Sequence, residues 1–397
     1  VKALLIKWRD MNPQLKLFLA AVLLFGVAGG IFDISFNNYL SDTFQISAKT
    51  RGWLEFPRET PGFLTAIFVG LLFFIPETRI ASLAALLAGL SLISIAVWGQ
   101  QWIPMLILMT LFSTGLHLFL PVRNSVSMLL AKDGRHGRRM GQVGAVQFAS
   151  GILGSALIWF VFRKTSGSYP LLFVLGGILA LVAAALFFAM HLPAAHLQRP
   201  KWVWNRRYWL YYVLAILFGG RKQIFLTFGP WVLIREYHQS AAVFAQLWVV
   251  GAIAGLFFQP LLGNLIDRWG ERKVLIIDSI LVTTVCLGYA CSHWIPNPRL
   301  VLPVLFACYL GDQLLFGVNI ARITYISKIA LNPTHIAPTL SLGSSLDHAV
   351  SMTVPILGGI LWTTYGYQAV FLAAAVLALL MLFFSALIRL PARCVKH

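Results

Sequence analysis

The sequence predicts an all-α membrane protein, with twelve transmembrane helices in two pseudo-symmetric six-helix bundles. Three observations predict it. The composition is 59% hydrophobic and 11% charged, with a mean hydropathy of +0.79. A soluble globular chain has about 45–50% apolar and 25% charged residues. The 397 residues divide into twelve apolar stretches, each near the ~20 residues that cross a bilayer core. One polar stretch at mid-chain separates six of them from the other six. A soluble enzyme, a disordered tail and a secreted disulfide scaffold are excluded by this composition.

The stretches run 17–40, 57–75, 79–98, 103–130, 140–162, 169–192, 208–234, 241–266, 273–291, 300–327, 338–362 and 367–390. Ahead of the first, Leu4, Leu5 and Trp8 predict a short amphipathic helix on the membrane surface. At the start of the second, Pro57 and Pro61 bracket Arg58 and Glu59. These two charges read either as an outer gate or as interfacial residues beside a helix start broken by proline. The polar stretch 193–207 carries Arg199, Lys201, Arg206 and Arg207. It makes 1–192 the first bundle, 193–207 a cytoplasmic linker and 208–397 the second bundle. The four cysteines (Cys286, Cys291, Cys308 and Cys394) have no CxxC spacing, so no metal site or disulfide framework is expected.

Lys and Arg outnumber Asp and Glu by 31 to 13. Most of these cations sit in loops between apolar stretches, which argues topology and not nucleic acid. With the N-terminus inside, twenty of them fall in inner segments and seven in outer ones. The positive-inside rule then places both termini in the cytoplasm, with a prokaryotic inner membrane as the expected location. Trp202, Trp204, Tyr208, Trp209, Tyr211 and Tyr212 fit an inner interfacial belt, and fit simple packing equally well.

The two halves repeat weakly. Ile34–Leu40 resembles Leu226–Val232, and Gly151–Leu157 resembles Pro355–Leu361. Such symmetry is common in secondary transporters, which bind substrate near the midplane.

Seven ionisable residues fall well inside the stretches: Asp33, Arg123, Arg221, Lys222, Asp312, Arg322 and Asp347. A charge facing lipid costs ~2.5–3.5 kcal/mol at a helix centre, so these must face one another or water. Asp278 reads as interfacial. At ~100° per residue, Asp312, Asn319 and Arg322 form one polar stripe, from which Arg123 is expected to lie across the repeat. Asp33 and Asn37 share a face at i,i+4. The span 1/7 register places Arg221 on the matching face and Lys222 slightly off it.

Gly263-Asn264-Leu265-Ile266-Asp267-Arg268-Trp269-Gly270-Glu271-Arg272-Lys273 resembles the G-x-x-x-D-R-x-G-x-[RK]-[RK] loop of the major facilitator superfamily. With the six-plus-six layout, the resemblance covers the whole chain. It implies that Gly263, Asp267, Arg268, Gly270, Arg272 and Lys273 form a cytoplasmic gate. There an Asp at a helix end pairs with Arg and caps a neighbouring helix. The first half departs from the pattern: Phe74 stands where the Asp is expected, so the latch is expected on one side only.

In the superfamily, spans 1, 4, 7 and 10 line a central cavity. By resemblance the substrate meets Asp33, Asn37, Arg123, Arg221, Lys222, Asp312, Asn319 and Arg322. Four cations against two acids suit an anionic or zwitterionic solute held by arginine forks. The alternative is that these charges pair internally. Asp33, Asp312, Asp347 and His348 are the proton-coupling candidates. Asp347 and His348 read alternatively as polar groups bonded to span 2 or span 8.

The function expected is secondary active transport of a small organic solute, with a proton as candidate coupling ion, by a monomer in a lipid bilayer. The competing readings are a non-transporting assembly or binding protein and a facilitator of neutral solutes. No cofactor, nucleic-acid partner or catalytic constellation is implied.

Overall fold

The computed structural model of the chain describes residues 11–72, 75–131, 136–164, 167–192, 204–332 and 335–389. Leu4, Leu5, Trp8, Phe74, residues 193–203 of the linker (with Trp202) and Cys394 lie outside the described residues. The helices are α1 (Pro13–Phe44), α2 (Ala48–Trp53), α3 (Glu55–Leu71), α4 (Glu77–Trp98), α5 (Trp102–Leu129), α6 (His136–Lys164) and α7 (Tyr169–Phe188). There follow α8 (Trp209–Arg235), α9 (Ala241–Ala290), α10 (Pro298–Leu315), α11 (Asn319–Ile329), α12 (Ile336–Tyr365) and α13 (Tyr367–Ala386). Each predicted stretch contains an α-helix, and no strand occurs among the described residues. Among the described residues eight helical runs are long and apolar enough to cross a membrane, with α9 as one of them and α10 and α11 together (Pro298–Ile329) as another.

The helix starts follow from their sequences. Asn12 accepts a hydrogen bond from the Gln14 amide at 2.8 Å with Pro13 in the first turn. Asn297 accepts from the Arg299 amide at 3.0 Å with Pro298 in the first turn. In both, the side-chain oxygen satisfies an orphan donor and the proline lacks a donor where none is needed.

Two elements differ from the sequence reading, each for a local reason. The second stretch starts at Glu55, two residues before Pro57, and is preceded by α2, which Ser47 caps by accepting from the Thr50 amide at 3.2 Å. Pro57 falls in the first turn, where its missing donor does not interrupt the helix. As the sequence predicts, the eighth and ninth stretches are two helical arms within α9, broken at Gly270, whose φ of 79° and ψ of 162° suit glycine and leave the helical range. The tenth is not one α-helix. A 3-10 turn over Phe316–Val318 separates α10 from α11, so the stripe expected of Asp312, Asn319 and Arg322 is interrupted.

The helices pack into two units. Unit 1 holds 1–45, 67–199 and 240–249, and unit 2 holds 46–66, 200–239 and 250–397. Neither unit is a contiguous half of the sequence: α3 starts in unit 2 and ends in unit 1, and α9 starts in unit 1 and continues in unit 2. The reason lies in what each end packs against. Gly151 of α6 lies so close to the Trp248 ring that a Cβ there would overlap it. Gly52 of α2 abuts the Pro355 carbonyl of α12 in the same way.

Unit 1 is built on a seam of small residues. Gly89 of α4 and Gly177 of α7 face each other so closely that a Cβ on either would meet the other's carbonyl oxygen, at 3.0 and 2.8 Å, and Gly115 of α5 abuts Ala84 and Ala88 of α4 in the same way. Ser82 Oγ donates to the Ala184 carbonyl at 2.8 Å across this seam. Unit 2 is built around α8, which is buried along most of its length between α12 and α13. Phe225 of α8 meets Tyr289 and Phe371 edge-on, with centroids 5.6 and 5.1 Å away.

Candidate functional site

Unit 2 gathers three cations and three acids. Arg221 Nη1 donates to Asp312 Oδ1. Lys222 Nζ donates to both oxygens of Asp347, at 2.7 and 2.8 Å. Arg322 is buried, lies over the Phe218 ring at 3.4 Å from its centroid, and donates through Nε and Nη2 to Asn319 Oδ1 at 3.0 and 2.7 Å. Asp278 completes the set. It is 3% exposed and senses the charges of Arg221, Arg322 and Asp312. Its side chain faces the protein interior. It sits in the second arm of α9, past Gly270, where every third or fourth residue (Glu271, Leu275, Asp278, Val282) faces inward.

Within this cluster the three cations are matched by three acids. Buried charges are tolerable when partners and hydrogen bonds compensate them, and Arg221 and Lys222 are compensated by direct ion pairs. Arg322 is held differently. Among the described residues no carboxylate lies within ion-pair distance of it, and its partners are an amide oxygen and an aromatic face. Arg221 also keeps Nε and Nη2 buried without hydrogen-bond partners, and Asp278 keeps Oδ1 so.

In unit 1, Asp33 is exposed and Asn37 half-buried on α1. Arg123 is half-buried on α5 and donates from Nε and Nη2 to Asn124 Oδ1, at 3.3 and 3.1 Å. His117 turns back to Ser113 on its own helix, its Nδ1 3.1 Å from the hydroxyl.

His348 does not face Lys222 as Asp347 does. Its Nδ1 lies 2.9 Å from Glu59 Oε2 on α3. Glu59 is buried and Arg58 half-buried. Arg51 Nη1 donates to Glu55 Oε1 at 2.5 Å, Arg58 Nε to Glu55 Oε2 at 2.7 Å, and Gln223 Nε2 to Glu55 Oε2 at 2.8 Å. Burial holds the Arg51 guanidinium below its ordinary pKa, and the neighbouring Glu55 offsets part of that.

In the glycine-flanked loop, Gly263, Asp267, Arg268, Arg272 and Lys273 are exposed. The pairing expected of Asp267 and Arg268 is not formed, and among the described residues neither makes an ion pair. The buried acid of this loop is Glu271, next to Gly270, and Lys328 of α11 reaches it at 2.5 Å.

Residues 17–341 match the Major Facilitator Superfamily. The chain belongs to this superfamily. It is 21% identical over 316 residues to an uncharacterized MFS-type transporter, YybF, of Bacillus subtilis (strain 168), covering 69% of this chain and 74% of that one. Among solved structures it resembles a mutant of the nucleoside transporter NupG, with a TM-score of 0.78 at 15% identity, over 95% of this chain and 100% of that one. It also resembles a bacterial homolog of the human lysosomal transporter Spinster in an inward-facing, unoccupied conformation. There the TM-score is 0.73 at 13% identity, over 95% and 97% of the two chains.

Membership makes the chain a membrane transporter of small molecules and not an enzyme. Against that background, Glu55, Gln223, Glu271 and Asp278 are the polar residues whose roles sequence reasoning does not assign. Asp278 could be found by extending the inward-facing spacing of α9 back from its apolar residues. Arg51, Glu55, Arg58 and Glu59 stand at i, i+4, i+7 and i+8, which is one helix face. The second apolar stretch begins at 57, between them, so hydropathy divides the pattern between a loop and a helix start.

Proposed function

We propose that this superfamily member carries a small anionic or zwitterionic organic solute by alternating access, coupled to protons, as a monomer in a prokaryotic inner membrane. In this reading both termini are cytoplasmic, and a cysteine introduced at Trp269 and labelled from outside the cell would overturn that orientation. The observation that carries the substrate class is Arg322. It is a buried guanidinium whose near partners are Asn319 and Phe218, with no carboxylate within ion-pair distance among the described residues. Arg123 in unit 1 likewise donates to an amide oxygen. Each unit therefore has one arginine whose charge is available to a carboxylate or phosphate fork. Arg221, Lys222 and Asp312 position the site through their own pairs, with Asn37 and Asn319 adding amide contacts.

Asp33 is the first choice for the proton. Asp312, Asp347 and His348, which contact Arg221, Lys222 and Glu59, are the further candidates. Asp33 is exposed on α1, where its carboxylate can exchange protons with its surroundings. The loop Gly263–Lys273 serves as the cytoplasmic gate.

The test is a thermal-stability panel on the detergent-solubilised protein. It contains monocarboxylates, dicarboxylates, amino acids, phosphate monoesters and, as the neutral arm, nucleosides and polyols. Acids are expected to stabilise. Calorimetry of the best of them should show Arg322→Gln and Arg123→Gln each weakening binding about tenfold or more, since a hydrogen bond to a charged group contributes ~1.5–3 kcal/mol. Stabilisation by the neutral arm alone, or wild-type affinity in both variants, would overturn the anion reading.

A further inference from the structure

Two polar systems of unit 2 meet on consecutive residues. On α8, Lys222 pairs with Asp347 and the next residue, Gln223, donates to Glu55. On α12, Asp347 pairs with Lys222 and the next residue, His348, contacts Glu59. Consecutive helical residues point about 100° apart. So α8 and α12 grip each other with one residue and grip the start of α3 with the following one. We propose that the Lys222–Asp347 pair holds residues 47–66 clasped onto α8 and α12, and that separating the pair releases the clasp.

The clasp is a self-neutralising unit. Arg51, Glu55, Arg58 and Glu59 are two cations and two acids on one face, and Arg58 reaches Glu59 as well, at 3.3 Å. It moves as one piece, because breaking it internally would leave buried charges unpaired. It seats on a seam with no side chains between the backbones. A Cβ on Gly52 would overlap the Pro355 carbonyl, and one on Gly359 would press on the Ala48 carbonyl and the Lys49 Cα at 2.7 and 2.8 Å. Such a seam is either closed or open, with no intermediate packing.

The ion pair has as little slack. The Asp347 carboxylate occupies the place that a Cβ on Gly219 would fill. Ser351 Oγ donates to Asp347 Oδ1 at 3.3 Å, adding a bond from its own helix. A rotation of α8 or α12 that parts Lys222 from Asp347 therefore also carries Gln223 and His348 away from the two glutamates. This is a two-state element that an event at the buried charge cluster can bias. It joins the cluster to a helix end without any contact between Arg322 and the clasp.

The test uses the full chain in nanodiscs without substrate. Spin labels go on Trp53→Cys and Tyr365→Cys, both exposed positions, with Cys286, Cys291, Cys308 and Cys394 replaced. Pulsed dipolar spectroscopy is expected to give one dominant distance. Glu55→Ala should add a longer, broader population by opening the clasp directly. Asp347→Asn and Lys222→Gln should add the same population through the pair. The double swap Lys222→Asp with Asp347→Lys should restore the original distance, and this separates loss of the pair from general damage to the fold. An unchanged distance in Glu55→Ala overturns the clasp. A shift in Glu55→Ala with none in Asp347→Asn and Lys222→Gln overturns the coupling. Neither result touches the substrate class, because no substrate takes part.

Discussion

Two charged regions of unit 2 are built in opposite ways. In the clasp, Arg51, Glu55, Arg58 and Glu59 are buried or half-buried, and every one has an ion-pair partner. In the loop Gly263–Lys273, Asp267, Arg268, Arg272 and Lys273 are exposed, and Glu271 alone is sealed, against Lys328. The engaged region matches no motif, whereas the idle one carries the superfamily's signature. If the loop is the gate proposed above, its charges act at another point of the transport cycle, and the contacts of one conformation need not display them. Energy in any one conformation follows burial and pairing. Removing a partner from a buried pair costs far more than removing an exposed charge.

The largest effect that can break this comparison is Glu55→Ala. Glu55 is fully buried and accepts from Arg51, Arg58 and Gln223. Its loss leaves the Arg51 guanidinium buried without its partner, which typically costs about 3–5 kcal/mol. Thermal unfolding of the solubilised protein should move down strongly, and less for Glu55→Gln, which keeps the shape. A melting temperature within the range of an ordinary surface change would mean that this network contributes nothing to stability.

The difference between these regions also explains what was legible in the sequence. Hydropathy located the apolar helices, because lipid demands a continuous apolar stretch and because helix is the structure that satisfies its own backbone there. It could not see α2, whose Ala48-Lys49-Thr50-Arg51-Gly52-Trp53 is neither apolar nor long. Nor could it separate Asp278 from a membrane-surface residue, since the start of an apolar stretch does not say which residues of the next turn face inward. The pairs Arg221–Asp312 and Lys222–Asp347 lie 91 and 125 residues apart in sequence. The cost of burying each charge was readable from sequence, but the partner was not. Register between spans 7, 10 and 11 decides it, and that register depends on glycine contacts such as Gly219 against Asp347.

Gly52→Ala comes next in size and sharpens the comparison on the packing side. No charge changes. The new methyl meets the Pro355 carbonyl, a backbone atom that cannot swing away, so α2 must lift from α12. Overpacking of this kind costs about 1–3 kcal/mol. The melting temperature should fall by less than in Glu55→Ala, and the two variants combined should lose less than the sum of both, because each opens the same seam. Full additivity would show that the glycine seam and the charged network are separate devices, and the clasp would then not be one unit.

The smallest effect belongs to Asp267→Asn. Asp267 is exposed and, among the described residues, forms no ion pair, so in this conformation its charge holds nothing. Stability should stay within about 0.5 kcal/mol of wild type, as for other surface changes. The gate reading adds a second expectation. If Asp267 ties helix ends only when the cytoplasmic side is shut, then Asp267→Asn favours the open side by the ~0.5–1 kcal/mol of an exposed pair, or about two- to fivefold in population. Gly263→Cys offers a place to read this, since a Cβ at that position has nothing within 4 Å to disturb. Its maleimide labelling rate in inside-out vesicles should rise by that factor in the Asp267→Asn background. An unchanged rate would remove Asp267 from the gate. A large drop in melting temperature would show instead that Asp267 is a structural residue in this conformation, and the contrast with Glu55 would collapse.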